Sequence, residues 1–287
     1  IYKRASGLVV NNMCMLLAVG LVILYRLNPD KALRQYEIAV AAVVITLIVP
    51  FFIHKLHFLD RLTWLYAAAG IALLGAVAVL GSVSYGAKLS FQVAGIAIQP
   101  SEFVKILFVF FTASMLAKST EFVQVVTATA VAAVHVLILV VSKDLGAALI
   151  FFITYLVMLY VATRRPLYLV SGLLCGSAAS VAAYKLFRHV RVRVSAWKDP
   201  LAVINNEGYQ VCQSLFAIGT GGWFGMGLYR GMPNKIPIVE EDFIFAAVSE
   251  ELGGIFAVCL IMVCASCYLM FLNIAMQMHD PFYKLIA

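Results

Sequence analysis

The stretch DFIFAAVSEELGGIFAVCLIMVCASCYLMFL, from Asp242 to Leu272, is apolar almost throughout, yet it opens on Asp242 and carries Glu250 and Glu251. At 1.5 Å per residue, about 20 helical residues cross a hydrocarbon core about 30 Å thick, so this run is long enough to span a bilayer. Charge in such a segment is expensive, and an intramembrane carboxylate is a functional hypothesis by default. Upstream, Pro237-Ile238-Val239-Glu240-Glu241 adds two more acids, which puts several carboxylates at the mouth of one apolar helix.

Seven similar runs precede it: Leu8 to Leu27, Tyr36 to Ile53, Leu62 to Val83, Glu102 to Ala117, Phe122 to Val141, Leu145 to Thr163 and Pro166 to Phe187. With 63% hydrophobic and 12% charged residues, the chain is a membrane protein by composition. Period-2 alternation is not evident and Gly and Pro fall mainly between the runs, which favours helices over barrel strands. The expected fold is all-α, a polytopic membrane helix bundle of about eight transmembrane helices. Residues 1–287 read as a single membrane domain, with Arg188 to Glu241 as its one large loop.

The chain opens on Ile1, with Lys3 and Arg4 leading into an apolar run and no small-residue cleavage site behind it. It reads as a fragment, without a signal peptide. Cys14, Cys175, Cys259, Cys264 and Cys267 lie inside apolar runs and only Cys212 in a loop-like region, so they read as small buried hydrophobes. Cys264 and Cys267 form a C-x-x-C without a second pair, which is poor support for a metal. His54, Lys55, His57 and Arg61 read as an interfacial cluster, and mid-span His135 as a packing or interhelical hydrogen-bonding residue.

Charge placement leaves orientation open. One set of loops collects Lys55, Arg61, Lys118, Arg164 and Arg165, and the other collects Arg26, Lys31, Arg34, Lys88 and Lys143 together with the basic residues of the large loop. Long loops do not vote in the positive-inside rule, and what remains is near a tie. A net charge of +7 gathered on one face suits either an anionic substrate or anionic headgroups.

Three local constellations carry further chemistry. In Gln99-Pro100-Ser101-Glu102-Phe103-Val104-Lys105, Pro and Ser are placed to start a helix, and Glu102 and Lys105 share a face at i, i+3. That pair is either functional or a packing device. In Lys143-Asp144-Leu145-Gly146, Asp144 stands where a helix dipole favours an anion, and alone it reads as a cap. Gly208-Tyr209-Gln210-Val211-Cys212-Gln213-Ser214 and Gly219-Thr220-Gly221-Gly222-Trp223-Phe224-Gly225-Met226-Gly227 allow a tight loop, but no G-K-[ST] follows and a nucleotide P-loop is rejected. Gly-rich backbone at membrane depth is tolerated only where protein or a wet cavity covers it.

In this order, Gln99 to Lys105, Asp144 to Gly146, Gly208 to Ser214 and Asp242 to Gly253 resemble the motifs of the SEDS family, the polytopic FtsW/RodA/SpoVE proteins that polymerise the peptidoglycan precursor lipid II. The resemblance implies a ten-helix fold with Arg188 to Glu241 outside the cell, and therefore resolves the charge tie. It covers most of the chain. Departures are Leu89-Ser90 after Gly86-Ala87-Lys88, Lys143 before Asp144, Glu240-Glu241 before Asp242, and no Pro-Phe-x-Ser-Tyr-Gly-Gly segment before the chain stops at Ala287. The first three suggest a divergent subgroup and the last a fragment lacking C-terminal helices.

The implied activity is a glycosyltransferase, a peptidoglycan polymerase of elongation, division or sporulation in the bacterial plasma membrane. An acceptor sugar 4-hydroxyl attacks the anomeric carbon of a polyprenyl-pyrophosphate donor with inversion, as in an inverting glycosidase with the hydroxyl in place of water. Asp242 is the expected base, with the like charges of Glu240 and Glu241 tuning it. Lys88, Lys105, Arg188, Arg191 and Arg193 are expected to meet pyrophosphate. Glu102 and Asp144 would hold Lys105 or a divalent cation, Mg or Mn. Gln210, Gln213 and Ser214 complete the expected substrate contacts. The expected partners are lipid II, the membrane and a class B penicillin-binding transpeptidase, with no nucleic acid. A lipid-linked oligosaccharide flippase would use the same basic cavity, and a scaffold would make the carboxylates dispensable.

Overall fold

A computed structural model describes residues 6–55, 58–84, 87–93 and 96–287. Twelve α-helices follow in order among them: α1 (Gly7–Leu27), α2 (Pro29–Lys55), α3 (Thr63–Leu80), α4 (Pro100–Lys118), α5 (Phe122–Val141), α6 (Leu145–Thr163), α7 (Pro166–Leu186), α8 (Arg188–Lys198), α9 (Tyr209–Gly221), α10 (Ile244–Leu252), α11 (Gly254–Gln277) and α12 (Pro281–Ile286). Prolines stand at the first helical position of α2, α4, α7 and α12, where the missing N–H is not needed. Among the described residues, eight helices are long and apolar enough to cross a membrane: α1, Pro29–Pro50 of α2, α3 to α7, and α11.

The eighth expected span is corrected. Asp242 to Leu272 is two helices, broken at Gly253, whose φ of 92° lies in the region that favours glycine. A Cβ there would also strike the backbone of Trp223, Phe224 and Gly225. Glu250 and Glu251 therefore stand at the C-terminal end of short α10, and the membrane-length helix α11 begins after them. Asp242 precedes α10 in a turn, one residue before the N-cap Phe243.

Between α3 and α4 lies a small antiparallel ribbon in the order β1 (Ser82–Ser84), β2 (Ala87–Val93), β3 (Ile96–Ile98). Leu89-Ser90-Phe91-Gln92-Val93 alternates apolar and polar, a local period-2 signal too short to change the fold class. Within the loop expected over Arg188 to Glu241, the chain forms α8 and α9.

The chain divides into two compact units, residues 1–51 with 179–273 and residues 52–178 with 274–287. The second has a core around Phe108, Phe111, Phe151 and Tyr155. His135 is wholly buried there, its Nδ1 2.9 Å from the Val131 carbonyl and its ring against Phe108 and Phe111. This is the packing role expected of it. In the first unit Ile23, Ala217, Ile236, Val239, Ala246, Ala247, Val248 and Leu260 form the core. His57 and Gly86 lie outside the described residues, as do the side chains of His54 and Lys55.

Candidate functional site

The helix break in the first unit needs backbone partners, because α10 and α11 each leave orphan groups at their ends. The glycine-rich loop after α9 supplies them. Met226 and Gly227 donate to the Glu250 and Glu251 carbonyls, both at 2.9 Å, while Gly254 and Ile255 donate to the Gly222 and Trp223 carbonyls at 2.8 and 3.2 Å. Gly225, with a φ of 77°, has the backbone of Glu251 and Leu252 where a Cβ would stand. Gly221 and Gly225 therefore serve a close backbone approach to the end of α10.

Two buried carboxylates lie under this loop. Glu251 is 1% exposed and its Oε1 accepts from Arg26 Nε at 3.1 Å, with Arg26 itself 14% exposed. The same guanidinium donates to the Gly231 carbonyl at 3.4 Å and lies 4.8 Å over the Tyr229 ring. Glu250 Oε1 accepts the Met232 N–H at 2.9 Å. Gly231 touches both glutamate side chains, and a Cβ there would come within 3.0 Å of each. A cavity of about 250 Å³ adjoins Glu250 and is lined by Gln213, Thr220, Arg230 and Lys235 over an apolar wall that includes Phe216 and Ile236.

At the other end of the loop, Lys31 Nζ sits 2.9 Å from both Glu240 Oε1 and Glu241 Oε1. Lys31 holds the Glu240 carboxyl below its ordinary value of about 4.5, its hydrogen bond being the largest cause. Lys31 offsets one of the two charges that Glu240 and Glu241 were expected to set beside Asp242, and a net negative charge remains there. Asp242 is exposed, its N–H donates to the Ile238 carbonyl at 3.3 Å, and its carboxylate has no hydrogen-bond or ion-pair partner among the described residues.

The other expected residues divide between the units. In the first, Gln210 Nε2 donates to the Pro237 carbonyl at 2.7 Å and so belongs to the loop that leads to Asp242. Gln213 faces the cavity. Ser214 is buried and donates to the Val211 carbonyl at 2.7 Å, a contact internal to its helix. Arg188, Arg191 and Arg193 are exposed on α8, and Arg191 Nη1 donates to the Lys185 carbonyl at 2.6 Å. In the second unit, Lys105 Nζ is 2.7 Å from Glu102 Oε2, with the side chains 31% and 58% exposed. Asp144 caps α6 by accepting the Ala147 N–H at 3.1 Å. Lys88 lies on β2, its side chain outside the described residues.

Arg26, Lys31, Glu250 and Glu251 are site residues that the sequence reading quoted but did not assign. The signal was present for Glu251, which stands in an apolar setting with no local cation and takes its partner from Arg26, 225 positions away, whereas Glu250 is met by the nearby Met232 N–H. No three His, Cys, Asp or Glu side chains gather among the described residues, and Lys31 occupies the space between Glu240 and Glu241. Of the residues expected to hold a divalent cation, Glu102 is paired with Lys105 and Asp144 caps α6, so neither pair of carboxylates as placed offers the several oxygen ligands that Mg or Mn takes.

A family model described as FtsW/RodA/SpoVE, cell cycle protein, matches residues 8–287. The chain is 34% identical over 307 aligned positions to the peptidoglycan glycosyltransferase RodA of Mycobacterium tuberculosis, covering 95% of this chain and 64% of that relative. It is 31% identical over 264 positions to stage V sporulation protein E of Bacillus subtilis, covering 84% and 71%. A chain from a solved peptidoglycan synthase complex, described as coordinating polymerization and crosslinking, superposes with a TM-score of 0.77 at 22% identity, over 99% of this chain and 82% of that one. The Thermus thermophilus rod shape determining protein RodA superposes at 0.65 and 20% identity, over 99% and 80%. The fold is shared with both, and the chain is a multi-pass protein of the bacterial plasma membrane. It spans 64% of the length of the Mycobacterium tuberculosis relative, a little under two thirds.

Proposed function

Because the chain belongs to the FtsW/RodA/SpoVE family of cell cycle proteins, we propose that it is a peptidoglycan glycosyltransferase that polymerises lipid II. The carrying observation is the exposed Asp242 carboxylate, free of partners, at the end of a loop whose other acids are all engaged. Asp242 accepts the proton of the acceptor 4-hydroxyl as that oxygen attacks the donor anomeric carbon. The bond from that carbon to the pyrophosphate oxygen breaks on the opposite face, giving inversion, and undecaprenyl pyrophosphate departs. Glu251 is 1% exposed and held by Arg26, and Glu250, at the cavity wall, is 5% exposed and engaged by the Met232 N–H, so neither is as open to a sugar as Asp242.

Cations are needed where charge develops on the leaving group. Arg188 and Arg193 on α8 have no carboxylate at ion-pair distance among the described residues, and Arg230 and Lys235 beside the cavity have none either. These four suit a pyrophosphate, Arg by bidentate contact. Lys105 is engaged by Glu102, which leaves it a weaker candidate. No step is routed through a divalent cation. A class B penicillin-binding transpeptidase as partner is supported by the described role of the solved synthase complex whose fold the chain shares.

The test is polymerisation of lipid II by the full-length protein in lipid nanodiscs, with and without that partner. Glycan chains from the wild type and none from Asp242→Asn support the reading. Lipid II translocation without chain formation, in wild type and variant alike, would support a flippase instead.

A further inference from the structure

The Asp242 carboxylate has no hydrogen-bond or ion-pair partner among the described residues, so the backbone that carries it must fix where it stands. The segment leading to it runs from the glycine-rich loop at Gly225 through Tyr229, Gly231, Pro237 and Ile238. Ile238 is β-branched and has a φ of 53°, a backbone state that such residues avoid. Glu241 and Asp242 both donate to the Ile238 carbonyl, at 3.1 and 3.3 Å, so any relaxation at Ile238 moves Asp242 directly. A conformation of this kind persists only where its surroundings over-determine it.

Two cations from one corner of the fold do so. Arg26 ends α1 and Lys31 opens α2, with Asn28 between them accepting the Lys31 N–H at 3.1 Å. Arg26 grips the upstream end of the segment through Glu251, the Gly231 carbonyl and Tyr229. Lys31 grips the downstream end through Glu240 and Glu241. We infer that Arg26 and Lys31 are positioning residues, which together hold the segment from Gly225 to Asp242 in the conformation that presents the Asp242 carboxylate to the acceptor hydroxyl. The inference rests on Asp242 being the base.

The experiment uses the full-length protein with its transpeptidase in lipid nanodiscs, following hydrogen exchange of peptides across 225–242 alongside kcat and KM for lipid II. Two variants release the clamps: Lys31→Glu, and Arg26→Met with Glu251→Leu, which removes the buried pair without stranding a charge. Exchange should rise in 225–242 and stay unchanged in α4 to α6. The Arg26 and Glu251 variant should lose up to about 10²-fold in kcat, the scale of a 1 Å misplacement, while KM changes little. For the exposed Lys31 contact a loss of roughly two- to fivefold is expected. Lys31→Glu with Glu240→Lys and Glu241→Lys should recover both exchange protection and kcat, because opposite charges face each other again.

Unchanged exchange in 225–242, or raised exchange with kcat intact, would overturn the inference. Loss spread over the whole protein, with kcat per folded molecule unchanged, would also overturn it in favour of a purely structural role. A parallel Asp242→Asn arm separates the two ideas: full activity there would sink the base assignment, while the exchange data judge the clamps on their own.

Discussion

Two ion pairs, one in each unit, differ both in how the sequence displays them and in how the structure buries them. Glu102 and Lys105 are three residues apart on α4, close at 2.7 Å and substantially exposed. Arg26 and Glu251 come from opposite ends of the chain, close at 3.1 Å and almost entirely buried. The local pair stands in the first turn of a span, where a long side chain can extend its charge toward the interface. The distant pair joins α1 to α10 and to the loop before Asp242, so it carries tertiary structure that the local pair does not. Spacing reveals the pair that matters less to the fold.

The contrast is broken most severely by Arg26→Met alone. It strands Glu251 without a counter-ion, at an expected cost of about 3–5 kcal/mol, read from thermal unfolding in detergent. Adding Glu251→Leu should return most of that stability. A loss below about 1 kcal/mol for the single change would put this pair in the class of surface ion pairs.

Gly253→Ala comes next. A positive φ and the backbone of Trp223, Phe224 and Gly225 leave no place for the methyl group, so about 1–3 kcal/mol should be lost. Recovery of full stability would mean that α10 and α11 can run through as one helix.

The local pair should respond weakly. Glu102→Gln is expected to lose only about 0.2–0.5 kcal/mol of stability, because both side chains are at least partly exposed. A loss as large as that of Arg26→Met would erase the distinction between the two pairs.

The smallest effect is a pH dependence at Lys31. Glu240 has its pKa depressed below about 4.5, so its contribution is present above the unfolded value and is lost as pH falls through the folded one. Exchange of residues 236–242 should therefore rise on acidification only below about pH 4.5, and Lys31→Gln should remove this transition. Added salt should weaken the same exposed contact. A carboxyl titration of Glu240 at its ordinary value would contradict the lysine bridge.

Much of the fold was legible because it is written in run lengths. The bounds of α1, α5 and α6 follow the apolar stretches closely, since about 20 apolar residues between polar turns leave few other structures. The break at Gly253 was hidden because α10 and α11 are both apolar and no Pro separates them. The ribbon before α4 was hidden because its alternation covers only a few residues.

The site was legible in part for a related reason. Asp242 stood out as a charge beside an apolar run, and Glu102 with Lys105 and the cap Asp144 could be paired locally. Arg26 with Glu251, and Lys31 with Glu240 and Glu241, required the fold, because more than two hundred positions separate the partners. Family motifs marked Glu250 and Glu251 as noteworthy but did not say what they bind.

The central claim is that Asp242 is the base of a lipid II polymerase, and the most direct measurement is the single-turnover rate of glycan formation by Asp242→Asn in the full-length protein with its partner. The change is nearly isosteric and touches no ion pair, so folding, partner binding and exchange protection of 225–242 should match the wild type. The account predicts a loss of about 10²- to 10⁴-fold in the chemical step. A rate above about a tenth of the wild-type value would contradict it, since loss of a general base is expected to cost more than that.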